Sequence, residues 1–117
     1  MAGVAPAEQP DRTAVHREAL AAADRAGKVA AVIDATEALA DALADEGAYD
    51  RAAVLLGGAE AMRADTGTGE GGTAPLVGDR ARAVAEEALG EVRLAERLAE
   101  GRRLSYAEVV ALAVGTD

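Results

Sequence analysis

Apolar residues recur at intervals of three and four over most of the chain, the spacing that places them on one face of an α-helix. The clearest stretch is 28–63, where two such patterns are joined by a short turn. The first pattern comprises Val29, Val32, Ile33, Thr36, Ala40 and Leu43, and the second comprises Ala52, Leu55, Leu56, Ala59 and Met62. Gly47 is expected to end the first helix, because glycine adopts a left-handed backbone at little cost. Asp50 is expected to cap the second by accepting a backbone N–H bond. The short turn predicts an antiparallel hairpin.

Four further helices are predicted around this hairpin, and no segment shows the alternation of a β-strand. Helix 12–26 starts after Asp11 as N-cap, ends at Gly27 and has a mostly alanine stripe of Val15, Ala19, Ala22, Ala23 and Ala26. A helix is predicted over 79–89, with an apolar face of Val77, Ala81, Val84, Ala85 and Ala88. Gly90 interrupts the chain before a helix over 91–102, whose inner face is Leu94, Ala95 and Leu98 and whose last turn Gly101 loosens.

The last helix has the clearest start signal in the sequence. Ser105 followed by Glu108 forms a capping box, in which each residue satisfies a backbone N–H group of the other. Val109, Leu112 and Ala113 continue the helix, and Gly115 ends it. The sequence therefore predicts an all-α fold of antiparallel helical hairpins, with about five to six helices. Its organisation is a disordered leader at 1–10, a single domain over 11–117 with a hairpin region at 11–64, a glycine-rich loop at 65–76 and C-terminal helices at 77–117.

Composition indicates a thin hydrophobic core. More than a quarter of the 117 residues are alanine, there is no Phe or Trp, and the only aromatic residues are Tyr49 and Tyr106. Alanine favours helices but buries little surface. The net charge of −9 argues against direct binding to nucleic acid or to an anionic membrane. The absence of cysteine and of a membrane-spanning apolar run predicts a cytoplasmic protein.

Candidate chemistry is sparse. His16 is the only histidine and has no acidic or hydroxyl partner at a recognisable spacing, so we interpret it as a surface or structural residue. The neighbouring carboxylates Glu86 and Glu87 point about 100° apart on a helix and do not converge on one atom. Solvent-facing charges are expected to include Glu87 with Arg93, and Glu96 and Glu100 near Arg97. The sequence offers no catalytic residue, cofactor site or metal site, and the chain is expected not to be an enzyme.

Gly57 and Gly58 lie inside a predicted helix, where each glycine costs about 1 kcal/mol relative to alanine. Two explanations remain open. A neighbouring helix can pack closely against them, or a ligand can press against the helix there, and we favour packing. The loop at 65–76 lacks the Gly-Lys-Ser/Thr ending of a phosphate-binding loop and is interpreted as a flexible linker.

The hairpin resembles a tetratricopeptide unit. Ala40 lies at the tight crossing, Gly47 and Tyr49 form the turn, and Ala52 and Ala59 are the small residues of the second helix. Thr36 and Thr66 stand near the places where such a unit usually has an aromatic residue and a proline, so the unit is degenerate.

A second resemblance covers residues 14–115. RAAVLLGGAEAMR at 51–63, a Gly/Pro loop, EEALGE at 86–91 and AEGRRLSYAEVVALAVG at 99–115 are similar to the C-terminal helical tail of actinobacterial LuxR/MalT-like and AfsR-like ATP-binding transcriptional regulators. Leu94 and Leu98 occupy a stretch where that tail usually has aromatic residues, and the linker here is richer in glycine. The tail lacks the nucleotide site and the DNA-binding helices of those regulators, so the resemblance implies a role in protein contact.

The leading hypothesis is a non-catalytic helical module for protein–protein interaction. Its partner is another protein or a second copy of the chain, and a homodimer is expected because a single repeat unit leaves one face to cover. The predicted interaction or packing face is Leu55, Leu56, Gly57, Gly58 and Met62. The alternative hypothesis is a helical domain that binds a small ligand or effector, suggested by the two glycines and the loop.

Overall fold

The computed structural model describes residues 11–67 and 75–115, with side chains in the second range described from residue 78 onward. These residues form six α-helices and no β-strand, which confirms the all-α prediction. The helices are α1 (Arg12–Arg25), α2 (Val29–Asp45), α3 (Tyr49–Thr66), α4 (Pro75–Leu89), α5 (Glu91–Arg102) and α6 (Tyr106–Val114). The predicted leader at 1–10 and most of the loop at 65–76 lie outside the described residues.

Several helix ends follow the local signals in the sequence. Asp11 accepts a hydrogen bond from the backbone N–H of Thr13 and caps α1. Gly47 and Gly90 both have a φ of +89°, a left-handed conformation that side chains rarely adopt, and they separate α2 from α3 and α4 from α5. Ser105 and Glu108 form the predicted capping box at the start of α6.

Two predicted helix starts are wrong. Helix α3 begins at Tyr49 after Ala48, which makes no side-chain capping bond, so Asp50 lies within the first turn and does not cap it. Asp50 instead binds arginine on another helix, as described below. Helix α4 begins at Pro75, four residues before the predicted start at 79. Proline fits the first position of a helix, because its φ is already helical and its missing N–H has no partner there.

The predicted inner face of α1 is also wrong. The buried residues of this helix are Thr13 and Leu20, whereas Val15 remains 48% exposed. Of the predicted alanines, Ala19, Ala22 and Ala26 are exposed and Ala23 is partly buried. Burying one leucine removes more apolar surface from water than burying an alanine, so the longer side chain sets the rotation of the helix.

On α4 and α5 the predicted faces are correct only in part. Ala81 and Ala85 of α4 and Leu94 and Leu98 of α5 are buried. Ala88 and Ala95 are exposed, and Val84 is partly buried. The side chain of Val77 lies outside the described part of the chain. Alanine is again the residue type whose burial the pattern predicts least well.

Interhelical ion pairs define the directions of the helices. Arg63, near the end of α3, binds Glu37 and Asp34 in the first half of α2, so the two helices run antiparallel as predicted. Between α3 and α5, Asp50 pairs with Arg93 and Glu60 with Arg102, so those two helices run parallel. The hairpins α2–α3 and α4–α5 are therefore stacked, with α4 beside α2 and α5 beside α3.

The hairpin α2–α3 forms the centre of the molecule. Every predicted residue of its two stripes is buried except Val29, which is partly buried. Helix α4 covers α2 and α3 from one side, and α5 packs along α3. Helix α6 turns back and contacts α1, α2 and α3, so the first and last helices meet against the hairpin.

Candidate interaction surface

The predicted interaction or packing face lies inside the folded chain. Leu55, Leu56 and Met62 are each at most 4% exposed, and Gly57 and Gly58 are buried. Neighbouring helices cover all five residues. An outside partner could reach them only if those helices separated from α3.

At Gly57 and Gly58, α5 and α6 approach α3 closely. A Cβ atom on Gly57 would overlap the backbone carbonyl of Leu98, and one on Gly58 would lie 2.7 Å from a methyl carbon of Val109. On α5, a Cβ atom on Gly101 would overlap the backbone of Val54. Gly57 and Gly101 let α3 and α5 pack backbone against backbone, whereas Gly58 makes room for the Val109 side chain. The space beside all three glycines is filled by the chain itself.

Charged side chains on the central hairpin bind arginines of the helices around it. Asp41 and Asp45, on α2, bind both Arg12 of α1 and Arg80 of α4, at N–O distances of 2.7–3.2 Å. The Arg12 hydrogen bond lowers the pKa of Asp45 below its ordinary value of 3.8. One pair of carboxylates thus links three helices.

The same arrangement recurs on α3. Glu60 binds Arg82 of α4 and Arg102 of α5. Both carboxylate oxygens of Asp50 accept hydrogen bonds from Arg93. This hydrogen bonding lowers the pKa of the Asp50 carboxyl below its ordinary value. The ion pair predicted between Glu87 and Arg93 is therefore replaced by one with Asp50. The predicted proximity of Arg97 to Glu100 is present as an ion pair of 2.7 Å.

The other polar residues considered from the sequence are not brought together. His16 is partly buried on α1, while Glu86 and Glu87 are exposed on α4. Within 11–67 and 75–115, no group of three or more His, Cys, Asp or Glu residues is placed to hold a metal ion. Among these same residues, no helix has both the length and the apolar character needed to cross a membrane.

Helix α6 has apolar residues on its outer as well as its inner side. Val109 and Ala113 are buried against the hairpin. The opposite side carries four apolar residues at helical spacing, which we call the α6 outer face: Ala107, Val110, Ala111 and Val114. Ala107 and Ala111 are exposed, and the two valines are partly buried. Glu108 is the only charged residue of the helix. A helix that is apolar all round is usually covered on all sides.

The α6 outer face lines one wall of an open groove of about 340 Å³ between α6 and the end of α1. Asp24 and Tyr106 form its polar end, where the Tyr106 hydroxyl donates to the Asp24 carboxylate at 3.4 Å. Partial burial raises the pKa of Tyr106, and the nearby Asp24 charge acts in the same direction. The phenol therefore stays protonated and can act as the hydrogen-bond donor at this end of the groove.

Helix α5 presents a second open groove, which is more polar. Val92 is 73% exposed there, close to Ala95 and Ala99. Three glutamates and two arginines also line this surface: Glu91, Glu96, Glu100, Arg97 and Arg103. A single exposed valine among solvated charges is normal on a protein surface. The α6 outer face is the stronger candidate because it has four apolar residues and no charge among them.

The α6 outer face was not predicted from the sequence, because each predicted helix was assigned a single buried stripe. In α6 the residues at positions 107, 110, 111 and 114 form a second stripe beside 109, 112 and 113. The signal was the composition of the helix, YAEVVALAV, in which one residue of nine is charged. A surface helix of a soluble domain normally has a charged or polar face opposite its buried one.

The comparisons with known proteins give no relative from which a function could be transferred. No protein-family model matches the chain, no curated protein is significantly similar to it, and no solved structure matches it.

Proposed function

We propose that this chain is a non-catalytic helical module for protein–protein interaction, and that its contact surface is the α6 outer face. The observation that carries the proposal is the uninterrupted apolar row Ala107, Val110, Ala111 and Val114 on a helix that is already buried on its other side. Covering such a row with a partner removes apolar surface from water. The charge of this groove is at its polar end, where the Asp24 carboxylate accepts a hydrogen bond from Tyr106.

The distribution of charge supports this choice of surface. The arginines of α1, α3, α4 and α5 that form ion pairs bind carboxylates of the chain itself, most of them on the central hairpin. Those charged groups hold the helices together and are already paired. On the α6 outer face, Ala107 and Ala111 are exposed among the described residues, while Val110 and Val114 pack in part against the core.

The resemblance to the tail of bacterial transcriptional regulators agrees with this proposal. Its most specific segment, 99–115, contains the end of α5 and the whole of α6. In this reading the chain is a contact module of a cytoplasmic, regulator-like protein, and its function lies in the helix that the resemblance covers best.

Fewer observations support the alternative function, binding of a small ligand or effector. Gly57 and Gly58 leave no space for a ligand, because Leu98 and Val109 occupy it. A more apolar place for one is the groove between α1 and α6, with Tyr106 as hydrogen-bond donor. That groove is open along its length, whereas sites for small ligands usually enclose most of the ligand surface.

The test is site-specific photo-cross-linking in the cells that produce the protein. A benzophenone amino acid replaces Ala111 in one variant and Ala95, exposed on α5, in a matched control. We expect discrete protein adducts from position 111 and none from position 95, identified by mass spectrometry. Absence of adducts from position 111 would contradict the proposal, as would adducts from position 95 alone.

A further inference from the structure

Helix α6 is attached to the molecule differently from the other five helices. Ion pairs join α1 to α2, α2 to α3, α4 to both α2 and α3, and α5 to α3. In the described part of the chain, no ion pair joins α6 to another helix. The single charged residue of α6, Glu108, takes part in the capping box of the helix itself. The electrostatic contacts that hold α1–α5 together therefore do not extend to α6.

Two long hydrogen bonds link α6 to α1. Arg17 donates to the carbonyl oxygen of Ala113 at 3.3 Å, and the Tyr106 hydroxyl donates to Asp24 at 3.4 Å. The usual distances are about 2.7–3.2 Å for an N–H donor and about 2.5–3.0 Å for an O–H donor. These two bonds are longer than that, so they hold α6 to its neighbour weakly.

The largest fully buried side chain of α6 is Val109. It lies beside Gly58 of α3, where a Cβ atom on the glycine would be 2.7 Å from a methyl carbon of the valine. Ala113 is the other buried residue of the helix and removes less apolar surface from water. The further apolar residues of α6 that pack against the core are partly exposed. The seating of α6 therefore depends on one valine that fits the space left by one glycine.

Helix α6 also has little stability of its own. With nine residues it is the shortest of the six described helices, and helices shorter than about 12 residues are marginal in isolation. Its helical form depends on the capping box and on its contact with the bundle. When the contact at Gly58 is lost, the helix is released as a unit, whereas ion pairs and the backbone crossings at Gly57 and Gly101 still hold α3 and α5 together.

We propose that α6 is a lid, which opens and closes on the bundle while α1–α5 stay folded. The groove beside the lid is lined by α6 and, at its polar end, by Asp24 of α1, so it exists only when the lid is closed. This inference rests on the proposed function in one respect, which is that the lid controls whether the α6 outer face is presented to a partner. A partner that binds the closed lid shifts the equilibrium towards the closed state.

The first experiment is native-state amide hydrogen exchange of the full chain, followed by NMR in urea below the unfolding transition. We expect the amides of α6 to share one opening free energy that is lower than that of global unfolding. This opening should depend only weakly on urea, because lifting one helix exposes far less surface than unfolding the chain. The slowest amides of α2 and α3 should report global unfolding. Exchange in α6 with the same rate and urea dependence as in α3 would overturn the lid.

The second experiment exchanges the sizes of the two residues that meet under the lid. Gly58→Ala brings a methyl group against Val109 and should accelerate exchange in α6 about tenfold, with little change in α2, α4 and α5. Val109→Ala leaves a gap beside Gly58 and should also accelerate exchange in α6. The double variant G58A/V109A places the methyl group of position 58 in that gap and should exchange more slowly in α6 than either single variant. A double variant that exchanges faster than both would overturn this seating.

Gly57→Ala is the matched control, one residue away on the same helix. Its Cβ atom would overlap the backbone carbonyl of Leu98 in α5, so it should accelerate exchange in α3 and α5 as well as in α6. If Gly58→Ala also accelerates exchange equally in all helices, α6 does not open separately and the lid is overturned.

The outcomes separate the lid from the function on which it rests. Separate opening of α6 without adducts from position 111 keeps the lid and overturns the proposed contact surface. Faster exchange in α6 of Gly58→Ala with an unchanged yield of adducts keeps the contact surface and overturns its control by the lid. A yield that falls in Gly58→Ala and recovers in G58A/V109A supports both.

Discussion

Gly101 of α5 lies against the backbone carbonyl group of Val54 in α3, with no side chain between the two helices. A Cβ atom at position 101 would overlap that carbonyl group and would lie 2.8 Å from the backbone nitrogen of Gly58. The contact is between two backbones, so rotation of a side chain cannot relieve an overlap. The α3–α5 crossing therefore depends on glycine at this position.

Gly101→Ala is expected to destabilise the protein by about 3 kcal/mol, because one helix must move away from the other to admit a methyl group. Gly57→Ala should behave similarly, since its Cβ would overlap the carbonyl of Leu98. Urea denaturation followed by circular dichroism measures both changes.

Gly78 of α4 is the matched control for these substitutions. A Cβ atom there would lie 3.6 Å from a carboxylate oxygen of Glu37, which is an ordinary contact. Gly78→Ala should therefore stabilise the protein by about 0.5–1 kcal/mol, the usual gain from alanine in a helix. Equal losses of stability at positions 78 and 101 would contradict the close-crossing explanation.

The glycines show how far the sequence could predict the structure. Gly90 and Gly115 act on the backbone next to them, and Ser105 caps α6 together with Glu108, three residues further along. These helix ends were therefore predictable from local chemistry. The role of Gly101 depends on a helix more than 40 positions away in the chain. The residues next to Gly101 in the sequence predicted only a loosened end of α5, whereas the structure shows a close crossing of α5 and α3 at this glycine.

The positions of the helix faces were predicted where the apolar residues are large. Leu55 and Ile33 are buried as expected, whereas Val15 and Ala19 point outward and Leu20 points inward. Alanine counts as apolar in a periodic pattern but gains little by burial, so an alanine stripe fixes the rotation of a helix weakly. The outer face of α6 was missed for a related reason, since two of its four residues are alanine.

Breaking the ion pair between Arg63 and Glu37 should cost more than breaking an exposed one. Arg63 donates two hydrogen bonds to the Glu37 carboxylate, at 2.6 and 3.1 Å, and Glu37 is only 8% exposed. Arg63→Ala leaves this carboxylate without its arginine in a largely desolvated place. We expect a loss of about 2–4 kcal/mol in the free energy of unfolding.

The double variant Glu37→Leu/Arg63→Met distinguishes the cost of an unpaired charge from the value of the pair itself. Replacing both partners removes the stranded carboxylate and keeps apolar contact between α2 and α3. Its stability should lie above that of Arg63→Ala. A double variant that is less stable than Arg63→Ala would mean that the ion pair stabilises the fold by more than the unpaired Glu37 carboxylate destabilises it.

Acid should destabilise the fold through Asp45 and Asp50. Hydrogen bonds from Arg12 and from Arg93 lower the pKa of these carboxyls below their ordinary value of 3.8. A carboxyl whose pKa is lower in the folded state stabilises that state at pH values above its unfolded pKa. This stability is lost as the pH falls from about 5 through 3.8 towards the lower folded pKa.

Urea denaturation over this pH range measures the effect. The free energy of unfolding of the wild-type chain should decrease below about pH 5. Arg93→Met removes the group that lowers the Asp50 pKa, so its stability should fall less steeply with acid than that of the wild type. An unchanged slope in this variant would exclude Asp50 as a contributor.

Ser105 is expected to determine how well α6 is held in its helical form. Its hydroxyl accepts a bond from the Glu108 N–H at 3.1 Å, and the Glu108 carboxylate accepts one from the Ser105 N–H at 2.8 Å. Helices much shorter than about 12 residues are marginal on their own, and α6 has nine residues. Ser105→Ala should cost about 1 kcal/mol, whereas Ser105→Asp should retain most of the cap. Amide hydrogen exchange should show the loss first within α6, because the removed bond lies at the start of that helix and the other helices keep their contacts. Fraying of α6 also disorders the α6 outer face, so Ser105→Ala should reduce the protein adducts that form from position 111.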